Sequence, residues 1–332
     1  MGGYFDFGGI YMFPIVSVIV PVYNSEKYLT EALNSLEEQT FKNFEVIIVN
    51  DGSTDNSEKI IKDFVNKNSN FKLINQKNMG PGYAKNTGIR YSKGKYIAFL
   101  DSDDFFAPNF LEILYNLAVE NKADIAYCNF NLYHTDTNFS VYMPFTAKSG
   151  VYSREKAFAR LISDFSLHHF PWNKLYKKSL FTENNIEFFN MFYEDIATCP
   201  KIFYFANKVV VTSKPLYYYR RHSESIIAKM TSDKINDFVK SLGITRNFLE
   251  SMNEYQKYRL RFKWYAKRIK LQVYYCILLD YMRNKTLEMI MENFKNASNS
   301  IDFFTSDDYV ASNEPLNLPY YVNIPKKVKT DR

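Results

Sequence analysis

Between residues 15 and 130, short apolar runs alternate with segments of helical period, and this alternation leaves few folds open. Ile15 to Pro21, Phe44 to Val49, Phe71 to Ile74, Tyr96 to Leu100 and Asp124 to Asn129 read as strands. The segments between them read as helices. Residues 26 to 39 carry Leu29, Ala32, Leu33 and Leu36 at helical spacing. Thr54 or Asp55 caps a second helix whose apolar side is Ile60, Ile61, Phe64 and Val65. The turn Asn78-Met79-Gly80-Pro81-Gly82 leads into a third, and Pro108 opens a fourth that ends near Glu120. Apolar strands joined by helix-length crossovers imply an α/β fold, a mostly parallel Rossmann-like sheet sandwiched by helices. Ligands of such sheets bind beyond the carboxyl ends of the strands. Those ends carry Pro21-Val22-Tyr23-Asn24, Asn50-Asp51-Gly52-Ser53 and Asp101-Ser102-Asp103, which converge on one crevice.

Residues 131 to 230 are less regular and continue the same domain. Tyr152 to Ile162 and Glu194 to Phe205 read as helices. Val209 to Val211 and Leu216 to Tyr219 read as two short strands, the second ending in Arg220-Arg221-His222-Ser223. Composition changes after about residue 230. Residues 233 to 295 have a helical period, with Phe262, Ala266, Ile269, Val273 and Ile277 as one apolar stripe. Pro315, Pro319 and Pro325 argue against regular structure in the tail. The expected organisation is an N-terminal extension (1–13), a catalytic domain (14–230), a helical C-terminal region (231–300) and an irregular tail (301–332).

A formal net charge of +6 favours anionic partners. Nucleic acid is not among those expected, because the chain has no zinc-finger spacing, RNA-binding aromatic signature or uninterrupted basic arm. Cys128, Cys199 and Cys276 are scattered singly, without a disulfide framework or metal-binding CxxC, as in a reducing compartment. The start MGGYFDFGGIYM does not read as a signal peptide, and no segment approaches the roughly 20 apolar residues that span a bilayer. A cytoplasmic location is expected. Residues 257 to 270 hold seven Lys or Arg and no acid. Two readings of this segment stay open. It docks on anionic lipid with Phe262, Trp264 and Tyr265 entering the interface, peripheral on the inner face of the cell membrane. Or its stripe packs on the catalytic domain or a second subunit, giving a homo-oligomer.

The sharpest local signal is Asp101-Ser102-Asp103-Asp104, directly after the apolar run Tyr96 to Leu100. Carboxylates at the end of a buried strand are costly unless something offsets their desolvation. A divalent cation does so, and a cation held there can grip a phosphate. Asp104 alternatively caps the loop before Pro108, and the bland reading of the whole cluster is an acidic surface turn.

These pieces together resemble a family 2 glycosyltransferase with the GT-A fold. The residues that carry the resemblance are Val18 to Asn24, Val49 to Asp55, Asn78-Met79-Gly80 with Ala84 to Gly88, Asp101-Ser102-Asp103, Trp172 to Tyr176 and Glu194-Asp195. It extends over roughly residues 14 to 227, ahead of the helical C-terminal extension. The resemblance implies transfer of a hexose or N-acetylhexosamine from a UDP-sugar, with inversion, to a hydroxyl of a surface polysaccharide or lipid-linked oligosaccharide, as in bacterial capsule or lipopolysaccharide synthesis.

It also implies roles. Asp51 accepts a hydrogen bond from uracil N3–H, Tyr23 stacks beside the base, and Pro21 and Asn24 shape that loop. Lys85, where the family more often has Arg, contacts the nucleotide or its phosphates. Asp101 meets the ribose or the cation, Ser102 lies between the two acids, and Asp103 binds Mn2+ or Mg2+. Trp172 lies beneath the sugar, Asp195 is the base, and Glu194 supports the loop or binds the acceptor. Arg221 or Arg220 pairs with phosphate, and His222 completes the metal sphere.

Each role has a plainer alternative. Asp51 is also a common turn or cap residue, Lys85 a solvated helix-face lysine, Trp172 a core tryptophan before a helix-start lysine, and the Glu194-Asp195 pair a normal acidic first helical turn. A nucleotidyltransferase is a weaker reading, since neither a GxGxxG loop nor a P-loop is present. A non-catalytic nucleotide- or glycan-binding protein on the same fold is the other.

Overall fold

The computed structural model describes residues 5–7, 10–135, 139–142, 148–163, 167–221, 231–284, 287–311, 318 and 321–322. The chain forms two compact units. One groups residues up to 190 with 198–222, and the other groups 191–197 with the residues from 223 onward.

The first unit opens with a hairpin of β1 (Phe5–Phe7) and β2 (Ile10–Met12). Then come β3 (Val16–Val22), α1 (Leu29–Glu37), β4 (Phe44–Asn50), α2 (Ser57–Lys67), β5 (Phe71–Asn75), α3 (Pro81–Tyr91), β6 (Tyr96–Phe99), β7 (Phe105–Phe106) and α4 (Phe110–Glu120). The remainder is β8 (Ile125–His134), β9 (Phe139–Tyr142), β10 (Gly150–Ser153), α5 (Arg154–Ser163), β11 (Lys174–Lys177), α6 (Ser179–Thr182), α7 (Glu194–Phe205), whose first four residues group with the second unit, and β12 (Lys208–Arg221).

The main sheet has the order β10-β12-β8-β11-β6-β3-β4-β5, with β7 on β12 and β9 on β8. Strands β6, β3, β4 and β5 are mutually parallel, as are β8 and β12. Covered on both faces, β4 is buried along its whole length and β3 at all but Pro21, which is why both read as continuous apolar runs. Helix α3 lies so close to β3 that a Cβ on Gly88 would sit 2.3 Å from Ile19 Cγ2. Going from β3 to β4 to β5 the chain moves outward, and α3 then returns it to β6 on the other side of β3. The strand order reverses there, so a crevice opens beyond the carboxyl ends of β3 and β6.

Three local readings are corrected. The two short strands expected at 209–211 and 216–219 are one strand, β12, which continues through irregular register on either side of Pro215. A proline has no N–H for the ladder, so its neighbourhood reads as a break in sequence. Lys174 lies in β11, an antiparallel strand between β6 and β8, and does not start a helix. The tail is helical as far as Thr305.

The second unit contains α8 (Ser232–Ser251), α9 (Tyr255–Asn284) and α10 (Leu287–Thr305). Helix α9 packs on α8 and α10, and its stripe Phe262, Ala266, Ile269, Val273 and Ile277 is buried. Arg246 of α8 is buried with its guanidinium 3.2 Å from the Tyr255 ring centroid and 2.7 Å from Glu250. Among the described residues no helix is long and apolar enough to cross a membrane.

Candidate active site

The three polar strand ends are stitched to one another. After β3, Asn24 takes a left-handed backbone (φ 48°) that a short polar side chain tolerates. Its N–H donates to Ser53 Oγ at 3.1 Å, and its Oδ1 accepts from the Thr54 N–H at 2.8 Å. Ser25 N–H donates to Ser57 Oγ (2.8 Å), and Glu26 N–H to Asp55 Oδ2 (3.0 Å). Burial pushes Asp55 up, but hydrogen bonds from Ser57 and from the Glu26 N–H outweigh it and hold the carboxyl below the usual range. Across the switch point the Ser25 and Ser102 hydroxyls lie 2.6 Å apart. Pro21 is half-buried at the end of β3, and Tyr23 is 49% exposed beside this frame.

Asp51 follows β4 and is buried. Its Oδ1 accepts from Gln76 Nε2 (2.7 Å) and the Met79 N–H (2.9 Å), and its Oδ2 from the Gly80 N–H (2.8 Å). One carboxylate thus fixes the turn that launches α3. Gly52 (φ 73°) and Gly80 (φ 92°) supply backbone shapes that residues with a Cβ resist.

On α3, Lys85 is buried with its amine 5.7 Å from the Phe188 ring centroid, which removes the reading of a solvated helix-face lysine. Asn86 pairs with both backbone groups of Phe188, at 2.8 Å each.

The acidic turn is held from behind by β12. Asp104 is buried; its Oδ2 accepts from the Tyr217 hydroxyl and its Oδ1 from the Arg220 N–H, both at 2.7 Å. It therefore pins the turn to β12, a different task from capping the loop before Pro108. Burial, then the charges of Asp103 and Asp101, push the Asp104 carboxyl well above the usual carboxylate range. Arg220, 2% exposed, donates from Nε to the Asp103 carbonyl (2.6 Å) and from its guanidinium to Glu31 (2.5 Å) and Thr135 (3.3 Å). Of the two adjacent arginines, Arg220 points inward and Arg221 is exposed, as alternation along a strand requires.

Trp172 is a core residue. Its ring stacks on Phe170 at 4.8 Å and Tyr217 at 4.2 Å and meets Phe130 edge-on at 5.0 Å. Because Tyr217 holds Asp104, Trp172 backs the acidic turn through one intervening ring.

Glu194 and Asp195 open α7 on the segment that groups with the second unit. Asp195 Oδ1 accepts its neighbour Ile196 N–H at 2.8 Å. Before them, Tyr193 has φ 59°, and its phenol is pushed up to about 12 by burial, then by Cys276 and Asp195.

Pro21, Tyr23, Asn24, Asp51, Asp101, Ser102 and Asp103 thus sit at neighbouring strand ends, with Lys85 on the helix that Asp51 anchors. His222 lies outside the described residues. Sequence reasoning missed Gln76, Tyr217 and the inward role of Arg220; the only signal was that two adjacent strand arginines cannot face the same way.

A model of the family "Glycosyl transferase family 2" matches residues 17–184. The Bacillus subtilis glycosyltransferase EpsH is 32% identical over 250 residues, spanning 74% of this chain and 72% of EpsH. The chain belongs to glycosyl transferase family 2. Glycosyltransferase GlyG of Streptococcus pneumoniae is 35% identical over 250 residues, spanning 69% of this chain and 82% of GlyG. Among solved structures, S. aureus TarS 1–349 in complex with UDP-GlcNAc gives a TM-score of 0.60 at 22% identity, over 93% of this chain and 99% of that one. The mannosyltransferase PcManGT from Pyrobaculum calidifontis, in complex with GDP-Man and Mn2+, gives 0.54 at 16% identity, over 80% and 72%. The shared fold is the GT-A type, and this glycosyltransferase carries the C-terminal helices described above.

Among its described residues no three His, Cys, Asp or Glu side chains are grouped to hold a metal ion. The acidic turn nevertheless suits a hard divalent ion. Asp101 and Asp103 are half-buried oxygen donors, and negative charge accumulates enough to perturb Asp104 behind them. Such ions are commonly held by one or two carboxylates together with substrate phosphates and water.

Proposed function

We propose that this family 2 glycosyltransferase moves a hexose or N-acetylhexosamine from a UDP-sugar, with inversion, to a hydroxyl of a surface polysaccharide or lipid-linked oligosaccharide. The observation that carries the reading is the set of polar strand ends stitched together at the strand-order reversal, with the Asp51-anchored turn and the Asp101–Asp104 turn among them. TarS, which shares the fold, has been solved with UDP-GlcNAc and with UDP, which supports uridine as the donor nucleoside.

In this reading the exposed Tyr23 ring stacks beside the base. Asp51 keeps room for the uracil N3–H, because a carboxylate has about four acceptor positions and three are occupied here. Asp101 and Asp103 hold Mn2+ or Mg2+; when bound, the ion neutralises charge that develops on the departing diphosphate. Lys85 and Arg221 add positive charge for the phosphates.

Asp195 takes the proton of the acceptor hydroxyl as that oxygen bonds to the anomeric carbon. The bond to the diphosphate oxygen breaks on the opposite face, and its electron pair leaves with UDP, so the configuration inverts. Glu194 orients the acceptor.

The test is nucleotide release by the purified protein from UDP-, GDP-, CMP- and dTDP-sugars with Mn2+ or Mg2+, alongside calorimetry with UDP. Expected are UDP-sugar-specific, metal-dependent release and an Asp195→Asn variant that binds UDP normally but does not transfer. Release from a GDP-sugar alone would move the donor assignment, and undiminished transfer by Asp195→Asn would remove the base.

A further inference from the structure

A surface helix packed along one side ordinarily turns a polar face to water. Helix α9 does not. Opposite its buried stripe lies a second apolar row: Leu260, Trp264, Leu271, Tyr275, Leu278 and Met282, each between 43% and 76% exposed. At 3.6 residues per turn the six fall within a sector of about 60° and run for about 33 Å along the helix. Phe262 and Tyr265, expected from sequence to enter a lipid interface beside Trp264, belong instead to the buried side.

The charges that α9 itself carries along most of this row are of one sign. No Asp or Glu occurs from Lys257 to Leu279. The bases on one flank are engaged by α10 and the residues after it: Lys270 pairs with Asp302 at 3.1 Å, Lys263 lies 3.6 Å from Asp307, and Arg259 also pairs with Asp307. Arg261, Lys267 and Arg268 are exposed and border the apolar row itself. Lys267 lies 5.0 Å from the Trp264 ring centroid.

We infer that this face of α9 docks on an anionic lipid surface. A row of Leu, Trp, Tyr and Met bordered by Lys and Arg is the arrangement by which a helix lies in the plane of a membrane interface, apolar side down, with basic residues among the headgroups. The indole and phenol suit that boundary because each combines an apolar ring with a polar edge. A second copy of this face would bring like charges together; an anionic membrane complements them.

The test uses the full chain with vesicles of phosphatidylcholine alone and with a quarter phosphatidylglycerol, read by flotation and tryptophan emission. The protein has two tryptophans, and Trp172 is buried in the aromatic stack, so a blue shift reports Trp264. Expected are flotation and a blue shift with the anionic vesicles only. Neutralising Lys267 and Arg268 as Lys267→Gln/Arg268→Gln is expected to weaken binding about thirtyfold. The variant Leu260→Ser/Leu271→Ser/Met282→Ser is expected to abolish the blue shift while its circular dichroism and melting temperature stay unchanged, since these side chains face away from the packed side. Absence of anionic-vesicle binding overturns the inference. So does a dimer, seen by light scattering, that these serine substitutions dissociate, because the face then belongs to a second copy.

Discussion

Asp51 offers the most discriminating perturbation, because the sequence left two roles open for it and the structure assigns a cost to one. Its carboxylate accepts three hydrogen bonds, from Gln76, Met79 and Gly80. Replacing it with Asn keeps the size and leaves one acceptor oxygen. If that oxygen takes the Oδ1 position, the Gln76 and Met79 bonds survive in weaker, uncharged form, and the amide NH2 is turned against the Gly80 N–H. A lost hydrogen bond to a charged acceptor costs about 1.5–3 kcal/mol, so with the weakening of the other two we expect about 3 kcal/mol. For a unit of this size that corresponds to a fall in melting temperature of about 6–12 °C. The assay is thermal unfolding of the nucleotide-free protein by circular dichroism, with UDP calorimetry below the transition. Gln76→Ala, which removes one of the three donors to that carboxylate, should cost about 1.5–3 kcal/mol. Tyr23→Ala, on an exposed ring, should leave the melting temperature unchanged and weaken only UDP binding. A nucleotide-free Asp51→Asn protein that melts with the wild type would refute the reasoning, since the carboxylate would then serve the nucleotide alone.

Gly88→Ala places a methyl 2.3 Å from Ile19 Cγ2 between α3 and the central strand, and should cost about 1–3 kcal/mol by denaturant unfolding. Arg220→Lys keeps the charge but cannot reach the Asp103 carbonyl, Glu31 and Thr135 together, and should cost about 2–3 kcal/mol with looser metal dependence of turnover. Because Asp104 is raised in the folded state, its contribution to stability is full below the ordinary carboxylate range and is lost as pH rises through its raised value. With chelator present, the stability of wild type minus that of Asp104→Asn should therefore fall as pH rises from that range; a flat difference by melting temperature would contradict it.

The parallel half of the sheet was legible because strands covered on both faces become uninterrupted apolar runs, and the crevice was legible because each run stops at polar residues. Strand β11 was hidden by its own chemistry. Of its four residues two are lysines, and Lys174 is buried: its amine donates to the Phe170 carbonyl and to Asn173 Oδ1 (2.7 Å) and lies 4.5 Å from the Tyr127 ring centroid. A buried cation satisfied by backbone oxygen and aromatic faces carries no mark in the sequence that separates it from a surface one. The clamp on the acidic turn was hidden by distance. Tyr217 and Arg220 reach Asp104 across 113 and 116 residues, and nothing local at either end announces the partner.

The placement of Phe262 and Tyr265 beside Trp264 is a different case, because the sequence itself separates them. Trp264 lies two residues from Phe262, about 200° around the helix, so both cannot enter the same surface. Proximity along the chain groups these aromatic residues, whereas the helical period separates them into a packed row and an exposed one. The same period assigns Leu271, Tyr275 and Met282 to the Trp264 side, beyond the basic segment 257–270. Period thus locates the exposed face, and charge selects its partner.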